Sequence, residues 1–261
     1  LSLNRIHLIL GAKTIFKELD WEIQHDQKIG LIGPNGAGKS SLFKLIMGEY
    51  TAEKGGAVTR ARGVSVGYLA QDPQLDAQMT GFEAALQGNP RVSEVAKELQ
   101  EVEESLNQKT VYENEKRLAH ALEKQQSLLA EYQALGGEQY PRKVREVLRG
   151  LGLKAGEEDK PIGVLSGGQK KIIGLARLLL SAPDVLLLDE PDNHLDLAGK
   201  QYLERFIQSY PGAVVIISHD RYLLDAVVTH IAELEDGKLT MFSGDYSSFI
   251  MDKQQRLARQ N

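Results

Sequence analysis

Residues 28–41 read KIGLIGPNGAGKSS, a short apolar run that breaks into glycines and ends on a lysine and two hydroxyls. Gly33, Gly38, Lys39 and Ser40 fit the spacing G-x-x-x-x-G-K-[ST], and residues 29–32 supply the strand that must precede it. Pro34, Asn35, Gly36 and Ala37 fill the loop, and a helix is expected over 41–47, beginning at Ser41. In such a loop the glycines let successive backbone N–H groups converge on one point, where the helix N-terminus adds its partial positive charge. The pattern predicts a phosphate cradle in which Lys39 reaches the β- and γ-phosphates and Ser40 ligates Mg²⁺. An ordinary glycine-rich turn into a helix would need neither the lysine nor the hydroxyl at these places.

Composition narrows the classes that remain. The 261 residues, 42% of them hydrophobic, suffice for one large or two modest domains with a core. A net charge of −5 does not mark a bulk nucleic-acid binder, so any such contact must be local. Cysteine is absent, which excludes disulfides, thiolate metal sites and iron–sulfur clusters within the chain and fits a reducing compartment, so a cytoplasmic location is expected. No apolar run approaches the roughly 20 residues of a membrane span, and the N-terminus has no uninterrupted apolar leader core. A soluble chain without a membrane span is expected. It begins at Leu1 rather than Met, and its polar, helix-prone end at 247–261 looks cut within a helix, which reads as a fragment.

Along the chain, Ile6, Leu8 and Leu10 alternate in a strand over 1–10, and Leu19, Trp21 and Ile23 alternate with Asp20, Glu22 and Gln24 in another. Val64, Val66 and Tyr68 alternate again and lead to Gln71, where Asp72-Pro73 predicts a turn. These strands are expected to make one small sheet beside the phosphate loop. From 93 to 135 the composition shifts to Glu, Gln, Lys, Leu and Ala. Val95, Leu99, Val102 and Leu106 form one helical stripe, and Leu118, Leu122, Gln125, Leu129 and Tyr132 a second. Residues 107–110 interrupt them and Gly136-Gly137 ends the second, predicting an antiparallel helical hairpin over about 93–137 within a helical segment of about 75–182, read as a projecting arm, with packing of both stripes on the domain body as the alternative. Its Lys97, Lys109, Lys116, Arg117 and Lys124 stand among a larger number of Glu and Gln, a pattern that a solvated face explains equally well.

Past Pro141 a helix is expected over 144–151, and LSGGQ at 165–169 opens another that runs through 180. Ser-Gly-Gly at a helix start is a second anion site. Ser166 can cap the helix and donate its hydroxyl, while Gly167 and Gly168, ahead of Gln169, let a phosphate approach the backbone. The apolar run 185–188 ends in Asp189-Glu190-Pro191, the pattern of a buried strand that delivers carboxylates at its C-terminal edge. Asp189 would hold Mg²⁺ through water, and Glu190 is placed to polarise an attacking water. A second buried strand at 214–217 delivers Ser218-His219-Asp220, which makes His219 a candidate γ-phosphate sensor. Residues 231–234 and 239–242 pair across Asp236-Gly237, a two-residue hairpin signal.

In this order, GPNGAGKS, Gln71, LSGGQ, LLLDEP, NHLD and ISHD resemble the ABC ATPases over essentially the whole chain. DEPDNHLD followed by ISHDRYLLD and FSGDYSSF, with YENEKRL and YQALGG ahead of LSGGQ, resembles the soluble ABC-F proteins, and the hairpin and tail resemble the first of their two tandem cassettes. The resemblance implies an α/β fold. It is that of a P-loop ABC ATPase cassette with a RecA-like core, a small antiparallel β subdomain and a helical subdomain carrying the short arm, with 247–261 beginning an interdomain linker. It implies ATP and Mg²⁺ as ligands and an ATPase completed only by a second cassette, because Ser166, Gly167, Gly168 and Gln169 would serve the ATP held by that partner. Gln71 looks like the Q-loop glutamine, which couples metal and water to the helical subdomain. Asp196, ending NHLD, looks like the D-loop aspartate that touches the opposite cassette. The further partner implied is the ribosome, with rRNA and tRNA met by arm and linker.

The sequence departs from the family pattern at three places. Leu10, before Gly11, stands where an aromatic ring usually stacks on adenine, so apolar contact by Leu10 or by Phe16 is expected to replace it. Asp192 stands where threonine is frequent and is expected to be a solvated loop charge. Lys170-Lys171 replaces arginines, keeping charge without the fork geometry. The alternative function is the nucleotide-binding subunit of a membrane transporter, against which the inserted hairpin and NHLD argue. A DNA-repair ATPase would need a long coiled coil or zinc insert between Gln71 and Leu165, and the interval is too short for one.

Overall fold

The computed structural model describes residues 1–53, 55–70 and 73–260, in two compact units, Leu1–Pro73 with Ala182–Asn261 and Gln74–Ser181. In the first unit β1 (Ser2–Leu10) and β2 (Lys13–Glu22) pair antiparallel, with Leu3 opposite Trp21 and Ile6 opposite Leu19. The register shifts along the pair, and Arg5 and Glu18 take positive φ in the shifted stretch, as bulged residues do. β3 (Lys28–Ile32) runs into the glycine loop, and α1 (Lys39–Met47) follows it. This helix starts two residues before the expected Ser41, because Gly38, left-handed at φ 103°, is its N-cap. β4 (Ala57–Thr59) completes a small sheet of order β2-β1-β4.

β5 (Val66–Leu69) does not join that sheet, contrary to expectation. It pairs in parallel with β6 (Val185–Asp189) at the edge of a larger one. Ser65 fixes the choice: its N–H and hydroxyl both donate to Asp184 Oδ2 at 2.7 Å, just ahead of the two strands. Alternation announces a strand but not its neighbour. The larger sheet has the order β5-β6-β7-β3-β8-β9, with β7 (Ala213–Ile217), β8 (His230–Glu235) and β9 (Lys238–Ser243), and only the β8–β9 hairpin is antiparallel. β6 and β7 are buried at every residue, which is why they read as unbroken apolar runs. Val185, Leu187, Val215 and Ile217 share one core with Leu42, Phe43 and Ile46 of α1 and with Leu3, Ile6 and Trp21 of the small sheet. At the hairpin Asp236 and Gly237 have φ of 51° and 77°, the two positive values that a two-residue type I′ turn demands.

The second unit is helical. Thr80 and Glu83 cap each other's backbone at the start of α2 (Gly81–Leu86). α3 (Pro90–Leu106), the short α4 (Lys109–Tyr112) and α5 (Glu115–Ala134) follow, then α6 (Tyr140–Gly150) and α7 (Gly167–Ser181). α3 packs along α5 around Val95, Leu99, Val102 and Leu128, and the Arg91 guanidinium forks onto Glu131 at 2.6 and 2.8 Å, joining the start of α3 to the end of α5. Gly136 at φ 66° ends α5, with Gly136 N–H donating to Gln133 O and Gly137 N–H to Tyr132 O, a Schellman closure.

The expected α5 stripe needs a correction. Leu122 and Leu129 are 48% and 44% exposed, whereas Leu128 is 6% exposed and sits in the hairpin core. The inward positions are Leu118, Ala121, Gln125, Leu128 and Tyr132. At each of two apolar pairs, Ala121-Leu122 and Leu128-Leu129, the residue taken from the sequence was one step too far round the helix.

The first unit closes with α8 (Leu197–Ser209), α9 (Arg221–Val227) and α10 (Tyr246–Gln260). α10 is fastened by Ser247, whose N–H and hydroxyl both donate to Asp225 at 2.7 Å, and by Lys253, which pairs with Glu233 of β8. Among the described residues no helix is long and apolar enough to cross a membrane.

Candidate functional site

β3, β6 and β7 are parallel neighbours, so their C-terminal ends open on one edge of the sheet, the position at which open α/β sheets bind ligands. There Asn35, Gly36, Gly38, Lys39, Ser40 and Ser41 of the loop and α1 line a cleft of about 280 Å³ together with Asp189, Glu190 and His219. Gly33 and Pro34 face a neighbouring cavity of about 460 Å³ that Lys39 and His219 also line. Ala37 N–H donates to Pro34 O within the loop at 3.2 Å.

The glycines are required by contact as well as by conformation. At Gly33, φ 151°, a Cβ would stand 2.2 Å from Leu234 O, and at Gly38, φ 103°, it would stand 2.5 Å from Ile15 Cγ2. Gly38 caps α1 with no side-chain hydrogen bond, which leaves the first-turn N–H groups to an outside acceptor. Lys39 folds back over the loop and donates from Nζ to Gly33 O at 2.8 Å and Pro34 O at 3.1 Å. Burial holds its ammonium below the ordinary lysine value, opposed by the nearby charges of Asp189 and Glu190.

Asp189 is the last residue of β6 and is buried at 1% exposure. Glu190, next to it, has φ 50°, a left-handed conformation that a non-glycine residue keeps only where its surroundings hold it. What holds it is visible. Its N–H donates to Ile217 O at the end of β7 at 2.8 Å, and its Oε2 accepts from Asn193 Nδ2 at 2.6 Å. Its Oε1 lies 3.4 Å from His219 Nε2.

Asp192 is not a solvated loop charge. It is 7% exposed and accepts a 2.8 Å hydrogen bond from Ser218 Oγ, with Lys200 Nζ 4.0 Å away. Leu10 pairs with Lys13 at the tip of the β1–β2 hairpin, and the apolar residues that line the cleft are Ile15 and Ile217. Phe16 is fully buried with its ring edge beneath Gly38, so it cannot present a face to a base.

Ser166, Gly167, Gly168 and Gln169 belong to the second unit, at the start of α7. Gln169 Oε1 accepts from Ser166 N–H at 2.8 Å and Ser166 Oγ from Gln169 N–H at 3.3 Å, a reciprocal cap. Ser166 and Gly167 are exposed, and nothing stands within 4 Å of where a Cβ at Gly167 would lie. Asp196 is the N-cap of α8 and accepts from Gly199 N–H at 2.8 Å. Gln71 lies outside the described residues, as does Asp72 of the predicted turn. Asn193, Asp192, Ser218, Lys200 and Ile15 were missed as site residues. Asn193 carried a signal, three positions after Glu190 in a turn, whereas the Lys200 partnership with two distant aspartates carried none.

Residues 16–193 match the sequence profile of the family described as ABC transporter. Among curated proteins, the chain is 37% identical over 99% of its length to YfmR of Bacillus subtilis, described as an ABC transporter ATP-binding protein, and covers 40% of it. It is 37% identical over 99% of its length to the energy-dependent translational throttle protein EttA of Haemophilus influenzae, covering 45%. It is 30% identical over its whole length to ABC transporter F family member 5 of Arabidopsis thaliana, covering 37%. The chain thus spans less than half the length of these relatives. Among solved structures, the ATP-binding subunit of an ABC transporter superposes with a TM-score of 0.66 at 18% identity, over 93% of this chain and 89% of that one. A dimeric ATP-binding cassette in a post-hydrolysis state bound to ADP and Pi superposes with a TM-score of 0.62 at 19% identity, over 93% and 97%.

Proposed function

Because the chain belongs to the ABC family of ATPases, we propose that it is the ATP-binding and ATP-hydrolysing cassette of an ABC-F translation factor, one that engages the ribosome in an ATP-dependent manner. The observation that carries this reading is the match to the translational throttle protein over 99% of the chain, the α3–α5 hairpin included. The short α4 at the hairpin tip places Lys109 and Tyr112 on exposed surface, with Lys116 and Arg117 in the first turn of α5, a group suited to local RNA contact in an otherwise acidic chain.

The residues present fit ATP. The Gly33 and Gly38 positions would be filled by any side chain, the α1 N-terminus is uncapped, and Lys39 has only loop carbonyls to give up to a triphosphate. Ser40 and Asp189 line the same cleft and would hold Mg²⁺, which supplies charge neutralisation on the phosphates. Glu190 is the proposed general base and His219 the contact to the γ-phosphate. Each has the other within reach, so the imidazole can orient the carboxylate while its second oxygen is held by Asn193. Ser166 and Gly167, exposed at the start of α7, and Gly168 beside them are proposed to close the site of a second cassette, and Asp196 and Gln71 to carry the contacts between the two. Two such cassettes closing on ATP and reopening on phosphate release would couple hydrolysis to the ribosome. α10 is proposed to begin the linker between them, and a cytoplasmic location follows from the partner.

The second reading, a nucleotide-binding subunit of a membrane transporter, is favoured by the transporter description of YfmR. One experiment separates the two. Glu190→Gln in the full natural polypeptide is expected to bind ATP, lose nearly all hydrolysis and sediment with ribosomes in ATP. Retention on membranes instead of ribosomes would favour the transporter, and unchanged turnover would remove Glu190 from its role.

A further inference from the structure

The turn after β6 and the turn after β7 are joined by more than the pair Glu190 and His219. Asp192 and Ser218 are both 7% exposed, and Ser218 Oγ donates to Asp192 Oδ1 at 2.8 Å while accepting from Asp220 N–H at 2.9 Å. The hydroxyl is fixed from both sides. Lys200 of α8 supplies the opposite charge: its Nζ donates to Asp220 Oδ2 at 2.7 Å and stands 4.0 Å from Asp192 Oδ2. Asp220 in turn accepts from Tyr222 and Leu223 N–H at the start of α9. A single network of side chains therefore ties together two turns and two helices.

Burying the Asp192 carboxylate has a desolvation cost that a neutral acceptor at this place would largely avoid. Lys200, bonded to Asp220 at 2.7 Å and 4.0 Å from Asp192, offsets part of that cost and brings α8 beside both turns. The strained left-handed Glu190 lies two residues before Asp192, and His219 follows Ser218 directly, so small movements of either turn would open the 3.4 Å approach between their side chains. We propose that Asp192, acting through Ser218 and held by Lys200, is a positioning residue that locks the Glu190 turn to the His219 turn and so sets the geometry of hydrolysis. The proposal rests on the roles given above to Glu190 and His219.

The test is steady-state ATP hydrolysis and nucleotide affinity of Asp192→Ala, Asp192→Asn, Ser218→Ala and the Asp192→Ala/Ser218→Ala pair, in the full natural polypeptide. Asp192→Ala is expected to lower kcat by about 10- to 100-fold, the scale of an ångström-sized misplacement. KM and nucleotide affinity should move by less than about threefold, since the phosphate loop is untouched. Asp192→Asn still accepts from Ser218 and should recover most of kcat. Ser218→Ala should reproduce the loss, and the double variant should be no worse than either single one, as for two ends of one bond. If Asp192→Ala does not fold, Ser218→Ala against Asp192→Asn carries the comparison. KM rising in step with falling kcat, additive losses, or native kcat in Ser218→Ala would overturn the proposal. Glu190→Gln is run in parallel. If it turns over like the native protein, the roles themselves fail; if it is inactive while Ser218→Ala is native, only the lock fails.

Discussion

Glu190 Oε1 stands 3.4 Å from His219 Nε2, although the two residues leave different strands of the sheet. The parallel register explains the meeting. Asp189 is level with Ile217, so the next residues emerge side by side, and the Glu190 N–H crosses to Ile217 O. A carboxylate on one exit and an imidazole on the next are thereby aimed at the cleft that the glycine loop borders.

His219→Ala is expected to separate chemistry from folding. The side chain is 67% exposed, so its loss should move stability by no more than about 0.5 kcal/mol. Turnover in the full natural polypeptide should fall by on the order of 10²- to 10⁴-fold, the usual contribution of a positioned acid–base group. Nucleotide binding should survive, because Lys39 and the loop amides do not depend on His219. A melting curve and a turnover assay on the same preparation check both halves. Near-native turnover would exclude His219 from the reaction.

What the sequence disclosed about this site depended on whether a residue acts through local spacing or through tertiary packing. The placement of the loop 33–41 and of the pair Asp189-Glu190 was legible because a strand–turn–helix and a strand end leave their mark at fixed intervals in the chain, and the continuous apolar runs of β6 and β7 announced buried strands. Asp192 was misjudged, since a carboxylate in a polar turn looks solvated until Ser218 and Lys200 arrive from other elements. Burial of Phe16 under the loop was hidden for a related reason, since the packing of Gly38 against Ile15 and Phe16 of β2 is set by tertiary structure. The partner of β5 was hidden because alternation specifies which face is inward and says nothing about which edge is taken.

The pair Lys200 and Asp220 should give stability a dependence on pH at both ends of the scale. The Lys200 ammonium, helped by the N–H groups of Leu223 and Tyr222 and opposed by burial, holds the Asp220 carboxyl below its ordinary value of 3.8. The unfolded chain then takes up this proton at higher pH than the native one, so the contribution is present above 3.8 and lost as pH falls through the depressed native value. Lys200 is shifted the other way, above 10.5, chiefly by its hydrogen bond to Asp220, so its share is present below 10.5 and lost as pH rises through the native value. Lys200 is 35% exposed, and solvent screening should hold the pair to about 1 kcal/mol or less. Asp220→Asn keeps a helix-capping side chain and removes the charge. Its urea midpoint should lie below the native one at about pH 7, and the gap should narrow as pH falls below 3.8 through the depressed native value. A gap of constant size would mean that the charge contributes nothing.

Leu128 and Leu129 are adjacent, equal in chemistry and opposite in environment, which makes them a direct test of the hairpin register. Leu128 is 6% exposed and packs with Val95, Leu99 and Val102, whereas Leu129 is 44% exposed. Leu128→Ala removes buried methyl groups from a core with few other members, and a loss of about 2–5 kcal/mol is expected for such a truncation when the cavity cannot collapse. The lower end of that range is the better expectation, since two helices meeting on a narrow seam can close partly over the gap. Leu129→Ala trades an exposed leucine for a better helix former and should stay within about 0.5 kcal/mol of native. Because the seam is local to α3 and α5, the effect belongs in the amide exchange of those helices. Leu128→Ala should speed exchange along α3 and α5 while leaving β6 and β7 protected, and Leu129→Ala should leave all four unchanged. Equal acceleration by the two substitutions would place the α5 seam between the two positions, and the reverse order would restore the stripe through Leu122 and Leu129.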